Sequence, residues 1–313
     1  MTTGENPREI LVVAHVRRED TVIAARRVIA ALLDAGARPV LPAEDGELRA
    51  AIGQVNGSAA SIAALGVEVP VDRIELAIVL GGDGTILRAA ELVRGGTAPI
   101  LGINMGHVGF LAEIEADVID DAMRRVIDRD YEVEERMTLA VEVIDADGTA
   151  IYDTWALNEA TVEKAARERM MEVVMEIDGR PLSSFGCDGV VVSTPTGSTA
   201  YNFSAGGPVI WPTVEAIAVV PLSAHALFAR PLVVGPEATV AIEVLARTDG
   251  TGILWCDGRR SHELPPGARV VARRSPEPVR LARLHPALFT DRLVRKFQLP
   301  VAGWRGPDTG GTA

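Results

Sequence analysis

Residues 74–93 read IELAIVLGGDGTILRAAELV. Residues 76–80 form a short unbroken aliphatic run, the composition of a strand buried on both faces, and the run stops at two glycines. From Thr85 onward Ile86, Leu87, Ala90 and Val93 fall at helical spacing, so Gly81-Gly82-Asp83-Gly84 bridges a strand end and a helix start. In open α/β sheets ligands bind at such a junction. Glycines let the backbone approach a phosphate and leave N–H groups at the positive end of a helix, while Asp83 is the one side chain there able to take a proton. Asp-Gly after a strand is also an ordinary turn, but the longer string GGDGT after a buried run favours a ligand loop.

Toward the N-terminus, residues 10–14 read as a strand and residues 21–35 as a helix whose Val22, Ala25, Ile29 and Leu32 make one apolar face, ending at Gly36. The loop between them contains no glycine, so the dinucleotide fingerprint G-x-G-x-x-G is missing from this βα unit and a hydride-transferring dehydrogenase is disfavoured. Residues 38–41 are a second short strand. The stretch 44–66, rich in Ala, Gly and Ser, predicts a mobile loop or a frayed helix. Beyond the GGDG helix come another buried strand at 100–103, a glycine-punctuated loop at 104–110 and a helix at about 117–129. After Tyr131 short alternating strands take over, separated by Asp-Gly turns at Asp147-Gly148, Asp178-Gly179 and Asp257-Gly258. The predicted fold is therefore an α/β N-terminal domain over residues 1–130 with a mostly parallel sheet, then a β-rich, sandwich-like domain over 131–284. A short terminal helix, with Thr290 as its N-cap and Leu293, Val294 and Phe297 as its apolar face, returns at 285–305 to pack on the first domain. Residues 306–313 read as a disordered tail.

With 313 residues, 48% of them hydrophobic, the chain accommodates two ordinary domains. A net charge of −12, from 31 basic and 43 acidic residues without a basic stripe, argues against nucleic acid as a partner. No apolar run is long enough to span a bilayer, and the polar opening MTTGENPRE lacks a signal peptide's apolar region; the reading is a cytoplasmic protein with no membrane partner. Cys187 and Cys256 lack metal spacing and read as reduced structural thiols, and five scattered histidines form no ligand pattern.

Three further stretches carry candidate chemistry. Asn158-Glu159 sets an amide beside a carboxylate at a strand end, a pair suited to an adenine edge and sugar hydroxyls, though such pairs are also common at strand ends that simply face water. Residues 188–208, DGVVVSTPTGSTAYNFSAGGP, run from a buried strand into a loop of hydroxyls and glycines, with Tyr201 available to stack on a base. Trp255-Cys-Asp257-Gly258-Arg259 ends a strand with a carboxylate and a cation, or is a plain hairpin turn.

GGDGT resembles the signature of the NAD kinase superfamily, which includes lipid kinases and 6-phosphofructokinases. The segment DGVVVSTPTGSTAYNFSAGGP and the loop GINMGHVGFL are similar to those of its bacterial NAD kinases in order and spacing, and the match runs from about residue 76 to FTDRLVRKFQLP. The resemblance implies phosphorylation of the 2′-hydroxyl of the adenosine ribose of NAD to give NADP. The donor would be ATP or inorganic polyphosphate, with a divalent cation, Mg²⁺ or Mn²⁺, held mainly by donor phosphates. It implies Asp83 as general base and Gly84 and Arg88 at phosphate. It places Phe110, Asn158, Glu159, Arg169, Asp188, Thr199, Ala200, Tyr201, Asn202, Phe203 and Ser204 on the dinucleotide, with Asp257 and Gly258 close to it. It further implies a homo-oligomer, a dimer of dimers or a dimer. Two rivals share features of this reading: a lipid or sugar kinase with GGDGT, against which the Asn158-Glu159 pair and the TPTGSTAY loop argue, and a catalytically silent dinucleotide sensor, against which Asp83 argues.

Overall fold

The computed structural model describes residues 7–16, 18–53, 62–106, 109–112, 114–115, 118–165, 170–247, 251–285 and 288–301. It divides into two compact units, Met1–Glu135 with Arg280–Ala313, and Arg136–Val279.

In the first unit β1 (Glu9–Ala14), α1 (Glu19–Asp34), β2 (Arg38–Pro42), α2 (Gly46–Ile52), β3 (Ala63–Leu65), β4 (Ile74–Leu80), α3 (Asp83–Leu92), β5 (Ile100–Asn104), β6 (Ile114–Glu115), α4 (Ile119–Ile127) and β7 (Glu132–Arg136) follow in order. β1 pairs in parallel with β2 and β4, and β4 in parallel with β5. Leu76 to Leu80 are fully buried, as an aliphatic run covered on both faces must be. α1 turns Ala25, Val28, Ile29 and Leu32 onto the sheet at helical spacing.

In the stretch 44–66, of which residues 54–61 lie outside the described residues, two short elements are anchored where the sequence reads as a mobile loop or a frayed helix. Asp45 accepts from the Leu48 N–H (3.3 Å) and caps α2, whose Leu48 and Ile52 are buried one turn apart. β3 adds in parallel to β2, with Ala63 opposite Val40.

The second unit is a sandwich of antiparallel sheets. Its strands are β8 (Leu139–Ile144), β9 (Ala150–Ala156), β10 (Glu159–Lys164), β11 (Met171–Ile177), β12 (Arg180–Cys187), β13 (Gly189–Ser193), then α5 (Tyr201–Ser204), β14 (Ile217–Leu222), β15 (Leu232–Val234), β16 (Val240–Val244), β17 (Gly252–Cys256), β18 (Arg260–Leu264) and β19 (Arg269–Arg274). One sheet runs β15-β14-β13-β10-β17-β18 and the other β12-β11-β16-β19-β8-β9, and residues of both share one core. The Asp-Gly pairs close hairpins: Asp178 and Gly179 have φ of 52° and 72°, Asp257 and Gly258 55° and 63°, the positive angles that tight hairpin turns require. Burial pushes the thiols of Cys187 and Cys256 up to about 12, so both are unreactive in the core.

The chain then re-enters the first sheet as β20 (Val279–Arg283), beside β5 and β7, and ends in α6 (Phe289–Phe297) within the first unit. Thr290 is not the N-cap of α6. Leu288 occupies that position without a side-chain cap, and Thr290 lies in the first turn. The tail after residue 305 lies outside the described residues.

Candidate functional site

Because β1, β4 and β5 are parallel neighbours, the loops leaving their C-terminal ends converge. His15 and Arg18 follow β1, Gly81 and Gly82 follow β4, and Asn104 and Met105 end β5. With Thr21 and Thr85 they line a cleft of about 220 Å³. The Gly81 N–H donates to Ile103 O (3.0 Å) and the His15 N–H to Leu80 O (3.2 Å), which fixes the loop bases against one another. Gly82 and Gly84 face open space, so a ligand can reach the first-turn amides of α3 there. His15, Arg18 and Asn104 carried no signal that singled them out in the sequence; only the strand order brings them beside the glycines.

Asp83 begins α3 and is half-buried. Its Oδ2 accepts the Phe110 N–H (3.0 Å) and its Oδ1 the Leu111 N–H (3.1 Å). A Cβ on Gly109 would run into this carboxylate, which gives the second glycine of GHVG its reason. Phe110 is 8% exposed, its ring 6.0 Å from Phe289 and 5.8 Å from Phe297. Arg88 is tied to Asp45 (3.1 Å) and Glu44 (3.6 Å).

In the second unit Asn158 and Glu159 are both buried, at 8% and 7% exposure. Ala160 and Val162 of β10 and Val190 and Val192 of β13 point into the sandwich core, so Glu159, Thr161 and Ser193 occupy the opposite face. The loop that follows β13 approaches that face, with Gly197 against the Asn158 carbonyl and the Tyr201 N–H on Glu159. Glu159 is consequently held protonated: burial pushes its carboxyl up to about 8, the negative charge of Asp257 adds to the effect, and only a hydrogen bond from the Tyr201 N–H opposes it. Its Oε2 has no hydrogen-bond partner among the described residues.

The hydroxyl-rich loop spends part of its polarity on itself. Thr194 Oγ1 donates to Leu157 O (2.5 Å) and accepts the Gly197 N–H (3.1 Å), while Ser198 Oγ donates to Pro195 O (2.7 Å) and accepts the Ile210 N–H (2.9 Å). Asn202, fully buried, donates to Ser198 O (3.2 Å) and Pro208 O (3.1 Å) and so braces the loop. A Cβ on Gly197 would collide with the Asn158 carbonyl, which seats the loop on the Asn158-Glu159 strand end. Left facing outward are Tyr201 at 39% and Phe203 at 42% exposure, together with Ser204; Thr199 and Ala200 are half-buried.

Asp257 is 6% exposed. It accepts from the N–H groups of Leu157 (3.0 Å), Asn158 (2.7 Å) and Glu159 (3.4 Å), and from Arg260 (2.7 Å), whose guanidinium lies 4.5 Å from the Trp155 ring centroid. Its position in a hairpin turn and its carboxylate role are thus one arrangement, and Gly258 beside it is exposed. Asp188 pairs with Lys164 (2.5 Å); hydrogen bonds from Lys164 and then Ser223 hold its carboxyl below the usual carboxylate range. Arg169 lies outside the described residues.

Comparison with known proteins supplies the family. The ATP-NAD kinase N-terminal domain family matches residues 10–131 and the ATP-NAD kinase C-terminal domain family residues 157–284. A protein of Leifsonia xyli subsp. xyli named NAD kinase is 64% identical over 301 residues, 96% of this chain and 98% of its own length. NAD kinase 2 of Streptomyces coelicolor is 55% identical over 307 residues, 97% of this chain and 99% of its own. Among solved structures, an NAD kinase from Archaeoglobus fulgidus in complex with ATP superposes with TM-score 0.69 at 25% identity, covering 93% of this chain and 98% of its own. Yeast NADH kinase complexed with NADH shares the fold, with TM-score 0.84 at 22% identity over 96% of this chain and 90% of its own. With both domain families matched in order and relatives more than half identical along nearly the whole length, the chain belongs to the ATP-NAD kinase family.

Proposed function

We propose that the chain transfers the terminal phosphoryl group of ATP to the 2′-hydroxyl of the adenosine ribose of NAD, giving NADP, with Asp83 as the general base. The observation that carries this is the seating of Asp83: a carboxylate at the junction of β4 and α3, fixed by two backbone amides and still half-open beside the cleft that His15, Arg18 and Gly82 line. The hydroxyl must lose its proton as it attacks phosphorus, and an anchored carboxylate within reach accepts it. The cleft suits the donor's phosphates, since Arg18 and His15 stand opposite the glycine loop at the positive end of α3. Asn158, Glu159 and Asp188 supply polar groups for the dinucleotide, Thr199, Ala200 and Ser204 join them, and Tyr201 and Phe203 supply exposed aromatic faces.

Among the described residues no three His, Cys, Asp or Glu side chains cluster in a way that would cage a metal. We propose that a divalent ion keeps several waters and is held chiefly by the donor's phosphates, as Mg²⁺ is. When bound, such an ion offsets phosphate charge. We further propose a homo-oligomeric, cytoplasmic enzyme. Leu227, Phe228 and Val233, exposed around the edge strand β15, support an apolar face that a second copy covers, and no helix among the described residues is long and apolar enough to cross a membrane. The test supplies NAD and Mg²⁺ with ATP or with polyphosphate and follows NADP through an NADP-specific dehydrogenase. No NADP with either donor from the folded protein overturns the reading, and polyphosphate alone serving corrects the donor. Light scattering that reports a 33.2 kDa particle removes the oligomer.

A further inference from the structure

The terminal helix α6 reaches the loop that holds Asp83. Arg292 donates through Nη1 to the carbonyl oxygens of Phe110 (2.7 Å) and Ala112 (2.8 Å). Arg283, the last residue of β20, donates to the carbonyl of Leu111 between them (3.3 Å) and is itself held by Glu134 (2.8 Å). Three consecutive carbonyls are thereby bound by cations. The carbonyl of Phe110 and the N–H of Leu111 belong to one planar peptide group, in which the two point in opposite directions. Arg292 grips one end of that peptide, and Asp83 Oδ1 receives the other at 3.1 Å. A charged donor on the oxygen polarises the peptide and strengthens its N–H as a donor. The rings of Phe289 and Phe297 fix the side chain of the same residue, Phe110, so α6 restrains both its backbone and its ring. Gly109 presses against the carboxylate from the preceding position and leaves it little room to turn.

We infer that Arg292 is a positioning residue for phosphoryl transfer: acting from the C-terminal helix through the peptide between Phe110 and Leu111, it orients and polarises the group that holds Asp83. The inference rests on Asp83 being the proton acceptor. Its neighbours carry related but separate loads. Arg283 grips a different peptide, and the phenylalanine rings of α6 pack on the Phe110 ring.

The test measures kcat and KM for NAD in the full-length wild type, Arg292→Met, Arg292→Lys, Asp83→Asn and the double variant Asp83→Asn/Arg292→Met, each with a melting curve. A misplaced catalytic group costs up to roughly 100-fold, so Arg292→Met is expected to lose about 10- to 100-fold in kcat with KM for NAD little changed. Arg292→Lys, which keeps a cation but not the fork, recovers part of that loss. In the Asp83→Asn background Arg292→Met slows the enzyme no further, because the group through which it acts is already gone. If Arg292→Met melts normally and keeps kcat within about twofold of wild type, or if it slows the Asp83→Asn enzyme by the factor it slows the wild type, the positioning role is refuted. Should Arg292→Met fail to fold, Arg292→Lys takes its place in the same cycle and the same comparison decides. The two readings fail separately. Wild-type turnover in Asp83→Asn removes the base and this inference together, whereas an impaired Asp83→Asn beside an unimpaired Arg292 variant removes this inference alone.

Discussion

Two aspartates stand at strand ends, one in each unit, and both are anchored by backbone N–H groups distant in sequence, yet they end in opposite states. A carboxylate offers about four lone-pair directions. At Asp257 all four are used: Oδ1 takes the amides of Asn158 and Glu159, and Oδ2 takes the amide of Leu157 and the guanidinium of Arg260. At Asp83 each oxygen takes one amide, from Phe110 or Leu111, and the side chain is only half-buried. Among the described residues, then, one carboxylate is saturated and closed while the other keeps an acceptor direction on each oxygen. A filled carboxylate is a brace. A half-filled one, held by as many bonds as fix its orientation and no more, can still take a proton from a substrate.

The contrast predicts different failures. Asp83→Asn keeps the size of the side chain but cannot accept a proton, so kcat for NADP formation should fall by roughly 10²–10⁴-fold. KM should rise modestly, and because an asparagine oxygen can accept only one of the Phe110 and Leu111 N–H groups, the melting temperature should fall by a few degrees while the fold survives. A normally folded Asp83→Asn enzyme with more than about a tenth of wild-type kcat would show that the free acceptor directions of Asp83 are not used for proton transfer. Asp257→Ala should do the reverse. It leaves three amides and the half-buried Arg260 without their shared acceptor, and removing one partner of a buried pair costs about 3–5 kcal/mol. Denaturant unfolding reads this directly. A loss below about 1 kcal/mol, the range of an exposed ion pair, would mean that Asp257 is not the brace its four bonds describe.

How much of this was legible beforehand follows from where each partner lies in the sequence. The strand, loop and helix of residues 74–93 could be read because an aliphatic run, a glycine stop and a helical period sit side by side. α2 and β3 could not, since one is two turns long, the other has three residues, and both lie in an Ala- and Gly-rich stretch where period says little. Asp257 reads as a strand-end carboxylate or a turn; its backbone partners lie about a hundred positions earlier, and only the pairing of β10 with β17 brings them to it. The loop of hydroxyls reads as one block in the sequence, but the bonds of Thr194 and Ser198 to Leu157, Pro195 and Ile210 show that density of donors does not say which ones face inward. Nothing in the sequence singles out Arg292, because its partners Phe110 and Ala112 lie about 180 positions earlier.

Glu159 sharpens the comparison through pH, because it lies beside the saturated Asp257 and is raised to about 8 by burial first and by that negative charge second. Below pH 4.5 it is protonated in folded and unfolded chains alike and makes no difference. As pH rises from 4.5 toward 8 the unfolded chain ionises while the folded one keeps its proton, so stability declines across that window and levels off above it. Glu159→Gln does not titrate and escapes the decline. Relative to wild type it should gain up to ~1.4 kcal/mol per pH unit between pH 5 and 8, with little difference at pH 5. Parallel stability curves for the two proteins across that range would mean Glu159 is ionised in the fold, and that Asp257 and Glu159 do not share a charge-poor pocket.

The smallest effect is expected at Tyr201, where the second unit opens to solvent. The ring is 39% exposed, while Asn202 next to it is fully buried and holds the loop through Ser198 O and Pro208 O. Loop integrity and ring exposure are therefore assigned to adjacent residues, and removing the ring should leave the brace intact. Tyr201→Ala is predicted to melt within a degree or two of wild type, since truncation of an exposed side chain away from such features changes stability by about 0.5 kcal/mol or less. NAD binding, measured calorimetrically, should weaken by roughly 1–3 kcal/mol, the worth of one base stacked on an aromatic face. Asn202→Ala is the matching control: it should lower the melting temperature first and weaken NAD binding only as the loop loosens. If Tyr201→Ala binds NAD as tightly as wild type, the ring is not a stacking surface. If it lowers the melting temperature as much as Asn202→Ala does, the division of labour between these neighbours is wrong, and the exposed aromatic belongs to the scaffold in the way Asp257 does.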